Sequence, residues 1–350
     1  MRRTSGVILV VVLWGLLALT IAVSALALWV ARSTDQAIAL ADERAGQVER
    51  FSTRATLKYL LATRPTRVTG LYLGEDAAQL VARWRAEPFT NHRARGDAGD
   101  LAFDDRPYQG LGETLFSIQD EAGLQNLNAF REATLDAMLG TLGVDLTRRP
   151  TLMRRLQDYT DFRPGFRPLG AAARDYDAAG RMAPPDRYLI SPLEAYRVLG
   201  WNEQEALWQD SRWRDGTTVL EFGNLNLNTA PAWLLQAVGG FSAEIAERVV
   251  AERTHASFSG VEQAGARLGL ELDPFDFRTL PSSNLRLTQW QPDSQRGFRY
   301  HVRLTPQADG REPWSIELAY PIAGPPAGVT RDPDLVRQAR HPLLAAPTAP

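Results

Sequence analysis

The chain begins MRRTSGVILVVVLWGLLALTIAVSALALWVA, and residues 7–31 of this stretch carry no charged side chain. At 1.5 Å per residue, about 25 helical residues span roughly 38 Å, which is enough to cross the hydrocarbon core of a bilayer with some tilt. Arg2 and Arg3 precede the apolar run, whereas Arg32 and Asp35 follow it. Because the net positive flank is amino-terminal, we expect the short end to stay in the cytoplasm and the remainder to be exported.

Three kinds of segment fit this beginning. A plain signal-anchor helix is the simplest. A cleaved secretory signal could end at the small residues Ala25-Leu26-Ala27, although the apolar run continues past them. A prepilin-type leader is a short basic segment that ends in glycine, directly before an uninterrupted apolar helix with an amphipathic continuation. Residues 1–6 end in Gly6, and all three marks are present, so the third interpretation predicts cleavage between Gly6 and Val7.

The amphipathic continuation covers residues 33–62, which hold no proline and one glycine. Apolar and charged side chains alternate there in a pattern that suits a helix half buried against a domain. Pro65 is expected to end this helix. A single helix from Val7 to about residue 62 would be roughly 84 Å long.

Composition excludes several classes of protein. The 350 residues include 39 basic and 41 acidic side chains, a formal net charge of −2, whereas a dedicated nucleic-acid binder normally shows a basic bias. The absence of cysteine excludes disulfides, thiol catalysis and thiolate metal sites. The four histidines lack ligand spacing, and no catalytic sequence motif is present, so we do not expect an enzyme.

The remaining pattern predicts a helical block between strands. A strand is expected at 115–119 with a turn at 120–123, and helices at 129–143, 151–162, 191–200, 203–213, 230–238, 242–253 and 259–268. Strands follow at 285–287, 298–304 and 314–318, with Asp309-Gly310 as a hairpin signal between the last two. Residues 323–350 are rich in proline and alanine without periodicity, so we expect a disordered tail.

A short repeat marks the two edges of the helical block. Residues 124–129 read LQNLNA and residues 225–230 read LNLNTA. The repeat could record a duplication. It could also mark two extended strands that lie side by side where the helical block is inserted.

The second copy of the repeat opens a helix–hairpin–helix pattern. Thr229 can cap a helix that has Pro231 near its start, Gly239 and Gly240 suit the tight turn after it, and Ser242 can cap the next helix. Such units often bind nucleic-acid backbone, but residues 224–270 hold three arginines against four glutamates, a net charge of −1. Because phosphate binding relies on cations, we expect a packing or protein-contact role instead.

Taken together, the leader, the long helix, the helical insertion and the Leu225–Pro231 motif resemble type II secretion system protein K, a minor pseudopilin of the general secretion pathway. The resemblance implies an α+β fold: a pilin-like spine helix with a small antiparallel sheet, interrupted by a large all-α insertion that contains the helix–hairpin–helix-like unit. The implied parts are a leader (1–6), a transmembrane helix (7–31), its periplasmic continuation (32–64), a first pilin-like part (65–128), the insertion (129–282), a second pilin-like β part (283–322) and the tail (323–350).

The resemblance also implies partners and processing. These are cleavage by the prepilin peptidase, N-methylation of the new terminus, and assembly with the major pseudopilin and the minor pseudopilins of families I and J at the pseudopilus tip. Most pilin-like subunits carry glutamate at mature position five, whereas protein K typically lacks it, and the equivalent residue here is Val11. A carboxylate in the bilayer is costly unless it is paired, and a subunit at the tip does not require that pairing in the same way.

Calcium is where the sequence departs from that family. The expected acidic segments read Asp158-Tyr-Thr-Asp161-Phe-Arg163 and Gly170-Ala-Ala-Ala-Arg-Asp175 here, with arginine and alanine at two expected acids. We therefore predict no cofactor, and we keep a calcium site at Asp158, Asp161 and Asp175 as the alternative. The alternative for function is a membrane-anchored helix–hairpin–helix protein of DNA uptake.

Overall fold

The computed structural model describes residues 5–73, 101–162, 168–221, 223–291, 296–305, 312–324, 336–338 and 341–344. Its fold is α+β, as the sequence predicts, and it starts with one helix of 59 residues, α1 (Ser5–Thr63). The helix ends two residues before Pro65, which cannot continue it because its ring clashes with the preceding turn. The side chains of the apolar half are exposed, whereas Leu57 and Leu60 in the second half are fully buried.

The strands of the main sheet are β3 (Tyr108–Gln109), β4 (Leu115–Asp120), β9 (Asn284–Trp290), β10 (Arg296–Leu304), β11 (Trp314–Ala323) and β12 (Arg337–Gln338). In the part of the chain that the structure describes, these six lie in the order β11–β10–β9–β4–β3–β12. All neighbours are antiparallel except the parallel pair of β12 and β3. A separate antiparallel pair joins β1 (Gly70–Leu71) to β2 (Leu101–Ala102).

Alternation along β4 and β9 gives this sheet two different faces. Phe116 and Ile118 of β4, with Leu285 and Leu287 of β9, pack in one apolar cluster with the buried side of α1. The residues between them are polar and lie on the other face, where the helical part of the chain packs. The strands predicted at 115–119, 285–287, 298–304 and 314–318 are all present, and the Asp309-Gly310 turn lies outside the described residues.

The helical part contains α2 (Glu132–Thr141), α3 (Arg149–Thr160), α4 (Ala173–Ala178), α5 (Glu205–Gln209), α6 (Ser211–Gly216), α7 (Ala232–Ala237), α8 (Ala243–His255) and α9 (Val261–Leu268). Two helix predictions differ from the structure. Residues 192–197 form a 3₁₀-helix that begins at a proline and is capped by Ser191. The helix predicted at 203–213 is two helices, because the Asp210 carboxylate accepts the Arg212 amide and starts a new helix there.

The two copies of the short repeat do not pair with each other in the described residues, which counts against the alternative of two side-by-side strands. The first copy forms β5 (Gln125–Asn126), which runs parallel to β6 (Thr217–Thr218). The second copy forms β7 (Leu225–Asn226), which runs parallel to β8 (Phe277–Arg278). Each copy is therefore the first strand of a helical unit, and the parallel partner strand ends that unit. The first helical unit spans residues 125–218 and the second spans residues 225–278.

Matching asparagines make the same bonds in both units. Asn128 donates from Nδ2 to the carbonyls of Leu189 and Val219, and its Oδ1 accepts the Leu189 amide. Asn228 does the same with Phe258 and Thr279. Most apolar residues of each unit pack in a cluster of their own, and Leu234 and Ala237 of the second unit join the cluster of the first. These equivalences favour duplication as the origin of the repeat, and the boundaries 129 and 282 of the insertion stay a prediction.

Part of the expected disordered tail is ordered, which corrects that prediction. Arg337 and Gln338 form β12 beside Tyr108 and Gln109, and the Arg337 amide donates to the Pro107 carbonyl. Residues 342–344 form a 3₁₀-helix, and Leu344 is 4% exposed in the cluster beneath α1. The proline- and alanine-rich composition hid a strand of two residues and a single apolar anchor, both too short to produce periodicity.

Candidate functional site

The amino-terminal half of α1 is the first candidate site. Gly6 and Val7, the predicted cleavage pair, lie in its first turn. Val11, the position-five equivalent, is 64% exposed, and its apolar neighbours along the helix are exposed as well. Among the described residues, α1 alone is long and apolar enough to cross a membrane. An apolar surface of this kind needs either lipid or other helices to cover it.

The junction between the sheet and the helical units is built on Asp120, which has no exposed surface. Its Oδ1 accepts hydrogen bonds from the amide and hydroxyl of Ser282 (2.9 and 2.7 Å) and from the Ala122 amide (3.1 Å). Its Oδ2 accepts from Asn226 Nδ2 (2.7 Å) and Thr229 Oγ1 (3.0 Å). One carboxylate therefore ties the end of β4 to the second helical unit and to the start of β9.

Glu121 makes a second buried connection beside Asp120. Its carboxylate contacts His301 Nδ1 of β10 at 2.6 Å and the Thr218 hydroxyl of β6. His301 Nε2 in turn lies 3.2 Å from the Tyr320 hydroxyl of β11. Burial would raise the pKa of Glu121, but His301, Thr218 and Arg286 outweigh burial and hold that pKa below its usual value. The first helical unit is thus bonded to the far side of the sheet through buried polar groups.

Arg253 of α8 makes a third connection. It is buried, and its Nη1 donates to the carbonyls of Leu227 and Ala230, while its Nη2 lies 4.0 Å from Asp104. Burial lowers the pKa of Arg253 to about 10, against the opposing effect of Asp104. The guanidinium is therefore occupied inside the protein and does not reach the surface of the helix–hairpin–helix unit.

The hairpin of that unit has the geometry that its glycines predict. Gly240 has φ of +70°, a left-handed conformation that strains other residues, and a Cβ on Gly239 would lie 2.5 Å from the Leu235 carbonyl oxygen. Ser242 caps α8 by accepting the Ile245 amide, as predicted. Thr229 does not cap the preceding helix, which corrects the prediction, because its hydroxyl binds Asp120 instead.

The three acids of the calcium alternative are not arranged around one point in the described residues. Asp158 is buried, and its Oδ2 accepts the Ala171 amide at 3.0 Å. Asp175 Oδ2 accepts the Ala172 amide at 2.8 Å, and Asp161 follows the end of α3. No group of three or more histidine, aspartate or glutamate side chains that could hold a metal is found in the described ranges. The absence of a cofactor stays a prediction, with calcium at these residues as its alternative.

Sequence analysis missed the junction residues Asp120, Glu121 and Ser282. The pattern Asp120-Glu121-Ala-Gly reads as an exposed turn, because adjacent acids are rarely buried. The position of the two acids in the sequence could have identified them, because they lie between a strand and the first copy of the repeat, where the chain leaves the sheet.

Comparison with known proteins agrees with the resemblance stated from the sequence. Residues 225–278 match the family model described as type II secretion system (T2SS), protein K. A similar solved structure is the GspK-GspI-GspJ complex from the type 2 secretion system of enterotoxigenic Escherichia coli, with 16% identity and a TM-score of 0.48, covering 71% of this chain and 94% of that chain. No curated protein matches. The family-model match alone confirms the resemblance to type II secretion system protein K, over residues 225–278 in the second helical unit.

Proposed function

We propose that this chain is a minor pseudopilin of the type II secretion system. It stands at the tip of the periplasmic pseudopilus with minor pseudopilins of families I and J, above the major pseudopilin, and supports the export of folded proteins across the outer membrane. The proposal rests on the combination of two features in one chain. These are a helical unit that matches protein K, and a 59-residue helix in which residues 9–31 expose only uncharged side chains.

The division of α1 suits this role. The half that contains Val11 lies in the inner membrane before assembly and against other spine helices afterwards, since neither environment requires polar side chains. The second half is fixed to the sheet through Leu57, Leu60 and the other apolar residues of that cluster. A pull on the spine helix is thereby transmitted to the sheet, and the buried contacts of Asp120 and Glu121 transmit it to the helical units.

The leader fits the same role. The prepilin peptidase removes residues 1–6, so that Val7 becomes the methylated terminus, and the domain beyond α1 lies in the periplasm. Nothing in this role requires catalysis, a cofactor or calcium. Val11 places no carboxylate at position five. This suits a subunit at the tip, because it has no neighbouring subunit above it with which that carboxylate would pair.

The arginines that the DNA-uptake alternative would need are already hydrogen-bonded within the helix–hairpin–helix unit. Arg248 and Arg253 donate to backbone carbonyls, and Arg267 bonds both to backbone carbonyls and to the Glu252 carboxylate. Glu244 and Glu247 are exposed beside the hairpin. Phosphates that approach the hairpin would therefore meet carboxylates rather than counterion-releasing arginines.

A deletion strain of the source organism tests the proposal. Loss of the gene should stop secretion of the folded enzymes that leave by this pathway, and the full chain should restore it. A variant with Gly6→Val should remain uncleaved and fail to restore secretion, while Gly260→Val, at a position of the helical part with extended backbone and open space for a side chain, serves as an expression-matched control. Normal secretion in the deletion strain would contradict the proposal.

A titration separates the two functions. The full chain in detergent is added to fluorescent duplex and single-stranded DNA at about 0.15 M salt. The proposal predicts no saturation in the range of about 10⁻⁴ to 10⁻⁶ M that is typical of non-specific binders. Saturable binding that weakens with salt and disappears in Gly240→Glu would favour DNA uptake.

A further inference from the structure

A row of cations lies between α1 and the outer strands of the sheet. Arg50, Arg54 and Lys58 are spaced one helical turn apart on the side of α1 that faces β10 and β11, which places their Cα atoms about 6 Å apart. Their cationic groups lie over aromatic rings: Arg50 over Phe298 at 6.0 Å, Arg54 over Tyr300 at 4.5 Å and Lys58 over Trp314 at 4.9 Å. The helix and β10 therefore run in the same direction along this row.

This cationic row has no carboxylate partner among the described residues. Arg50 donates to the side chain of Gln291, and neither Arg54 nor Lys58 forms an ion pair there. Of the nearby acids, Glu317 pairs with Arg303 and Glu49 accepts the Glu113 amide. Asp42, Glu43 and Glu113 line the same groove but form no ion pair with the row among the described residues. Three half-buried cations with aromatic contacts and no ion pair in the described residues form a surface that favours an acidic ligand.

The neighbouring strand β11 is an open edge. In the described ranges it pairs only with β10, and its ten residues contain one charged side chain, Glu317, and one proline, Pro321. Edge strands usually carry several such protective residues, because their unpaired backbone groups otherwise bind other chains. Exposed apolar side chains adjoin it: Phe51, Phe298 and Ile316 are 63%, 37% and 44% exposed.

We propose that β11 and the cationic row together bind an acidic, extended segment of a second protein chain, which adds to the sheet as a strand. In an added strand, every second side chain would face α1 at a spacing of about 6.7 Å, close to the 6 Å spacing of the cations. Alternate glutamates or aspartates would thus reach Lys58, which lies over Trp314 of β11, and Arg54, which lies over Tyr300 opposite Ala319, while the backbone pairs with residues 314–320 of β11. Arg50 lies over Phe298, opposite Pro321, and adds positive charge at the end of the paired segment. Pro321 has no N–H to donate and limits the pairing at that end.

Charge and distance disfavour two other occupants of this surface, a second copy of the chain and anionic lipid. A second copy that paired through its own β11 would bring two cationic rows together, which is repulsive. Anionic lipid is out of reach, because Arg50 lies about 28 Å along the helix from the end of the apolar run, several times the Debye length of about 8 Å. The proposal is independent of the assignment as a minor pseudopilin, since it concerns a surface whose binding can be measured in isolation.

Lys58 makes the test specific, because it is the only lysine in the chain. The probe is a ten-residue peptide, blocked at both ends, in which glutamate alternates with valine and threonine. A matched peptide has lysine in place of glutamate. The full chain in detergent is titrated with each fluorescent peptide, backbone amide exchange is followed by mass spectrometry, and a carbodiimide is added to couple Lys58 to a peptide carboxylate.

The proposal predicts that the acidic peptide binds, slows amide exchange in residues 314–320 and couples to Lys58, while the lysine peptide does not bind. Lys58→Arg should keep binding and lose coupling. The double variant Arg54→Glu with Lys58→Glu should bind the acidic peptide at least tenfold more weakly and bind the lysine peptide instead, which also shows that it is folded. Reversal of the distant Arg148 and Arg174 should change neither affinity.

Four results would overturn it. These are no binding of the acidic peptide, equal binding of the two peptides, binding without slower exchange in residues 314–320, and self-association of the chain through β11 in place of peptide binding.

Discussion

Replacement of Asp120 by alanine should destabilise the protein strongly. The carboxylate is buried and accepts five hydrogen bonds, two of them from the backbone amides of Ala122 and Ser282. Hydroxyl and amide side chains can turn to other partners, but backbone amides cannot, and each buried donor left unpaired costs about 1–3 kcal/mol. Allowing for partial entry of water, we expect Asp120→Ala to lower the free energy of unfolding by about 3–5 kcal/mol.

Urea unfolding of the full chain in detergent, followed by tryptophan fluorescence, measures this loss through probes such as the buried Trp213. With a slope of about 3 kcal/mol/M, the midpoint should fall by more than about 1 M. Asp276→Ala is the matched control, because Asp276 pairs with Arg131 at the surface and such pairs contribute about 0–1 kcal/mol. If Asp120→Ala shifts the midpoint no more than Asp276→Ala, the junction does not depend on this carboxylate.

Three further predictions concern the leader, the membrane helix and the junction. Mass spectrometry of the mature chain should find Val7 at its amino terminus, and an intact Met1 or a start at Leu28 would exclude the prepilin leader. Val11→Glu should leave secretion unchanged or reduce it, because an unpaired carboxylate in a bilayer costs up to about 2.5–3.5 kcal/mol; enhanced secretion would reveal a pairing amine and contradict the tip argument. Because the pKa of Glu121 is held below its usual 4.5, the ionised carboxylate stabilises the fold above pH 4.5, and this stabilisation is lost as the pH falls below that value. Glu121→Gln should therefore reduce the loss of stability in acid, as measured by urea midpoints across this range. An unchanged acid dependence would count against the pairing of Glu121 with His301.

Much of the fold could be predicted from local signals. The long helix α1 follows from an uncharged run, an amphipathic continuation and Pro65, each of which acts within a few turns. The hairpin turn at Gly239 and Gly240 could be predicted because a tight turn needs a backbone conformation that glycine adopts without strain. The strands β4, β9 and β10 follow from alternation, since one face of each packs in the apolar cluster against α1.

The parts that could not be predicted depend on distant contacts. Thr229 looks like a helix cap, but Asp120, about a hundred residues earlier in the chain, binds its hydroxyl. The repeat strands β5 and β7 pair with β6 and β8, whose sequences carry no strand pattern. Leu344 anchors the tail because a gap beneath α1 accepts it, and the tail sequence contains no sign of that gap.

Isolation of a complex with other minor pseudopilins tests the proposed function most directly. The full chain is co-expressed with the family I and family J proteins encoded by the same genome, extracted in mild detergent and purified through a tag on one partner. The account predicts a stable complex that contains all three chains and is lost when the helical units are removed from this one. Purification of the family I and J proteins together, without this chain under any expression ratio, would contradict the account.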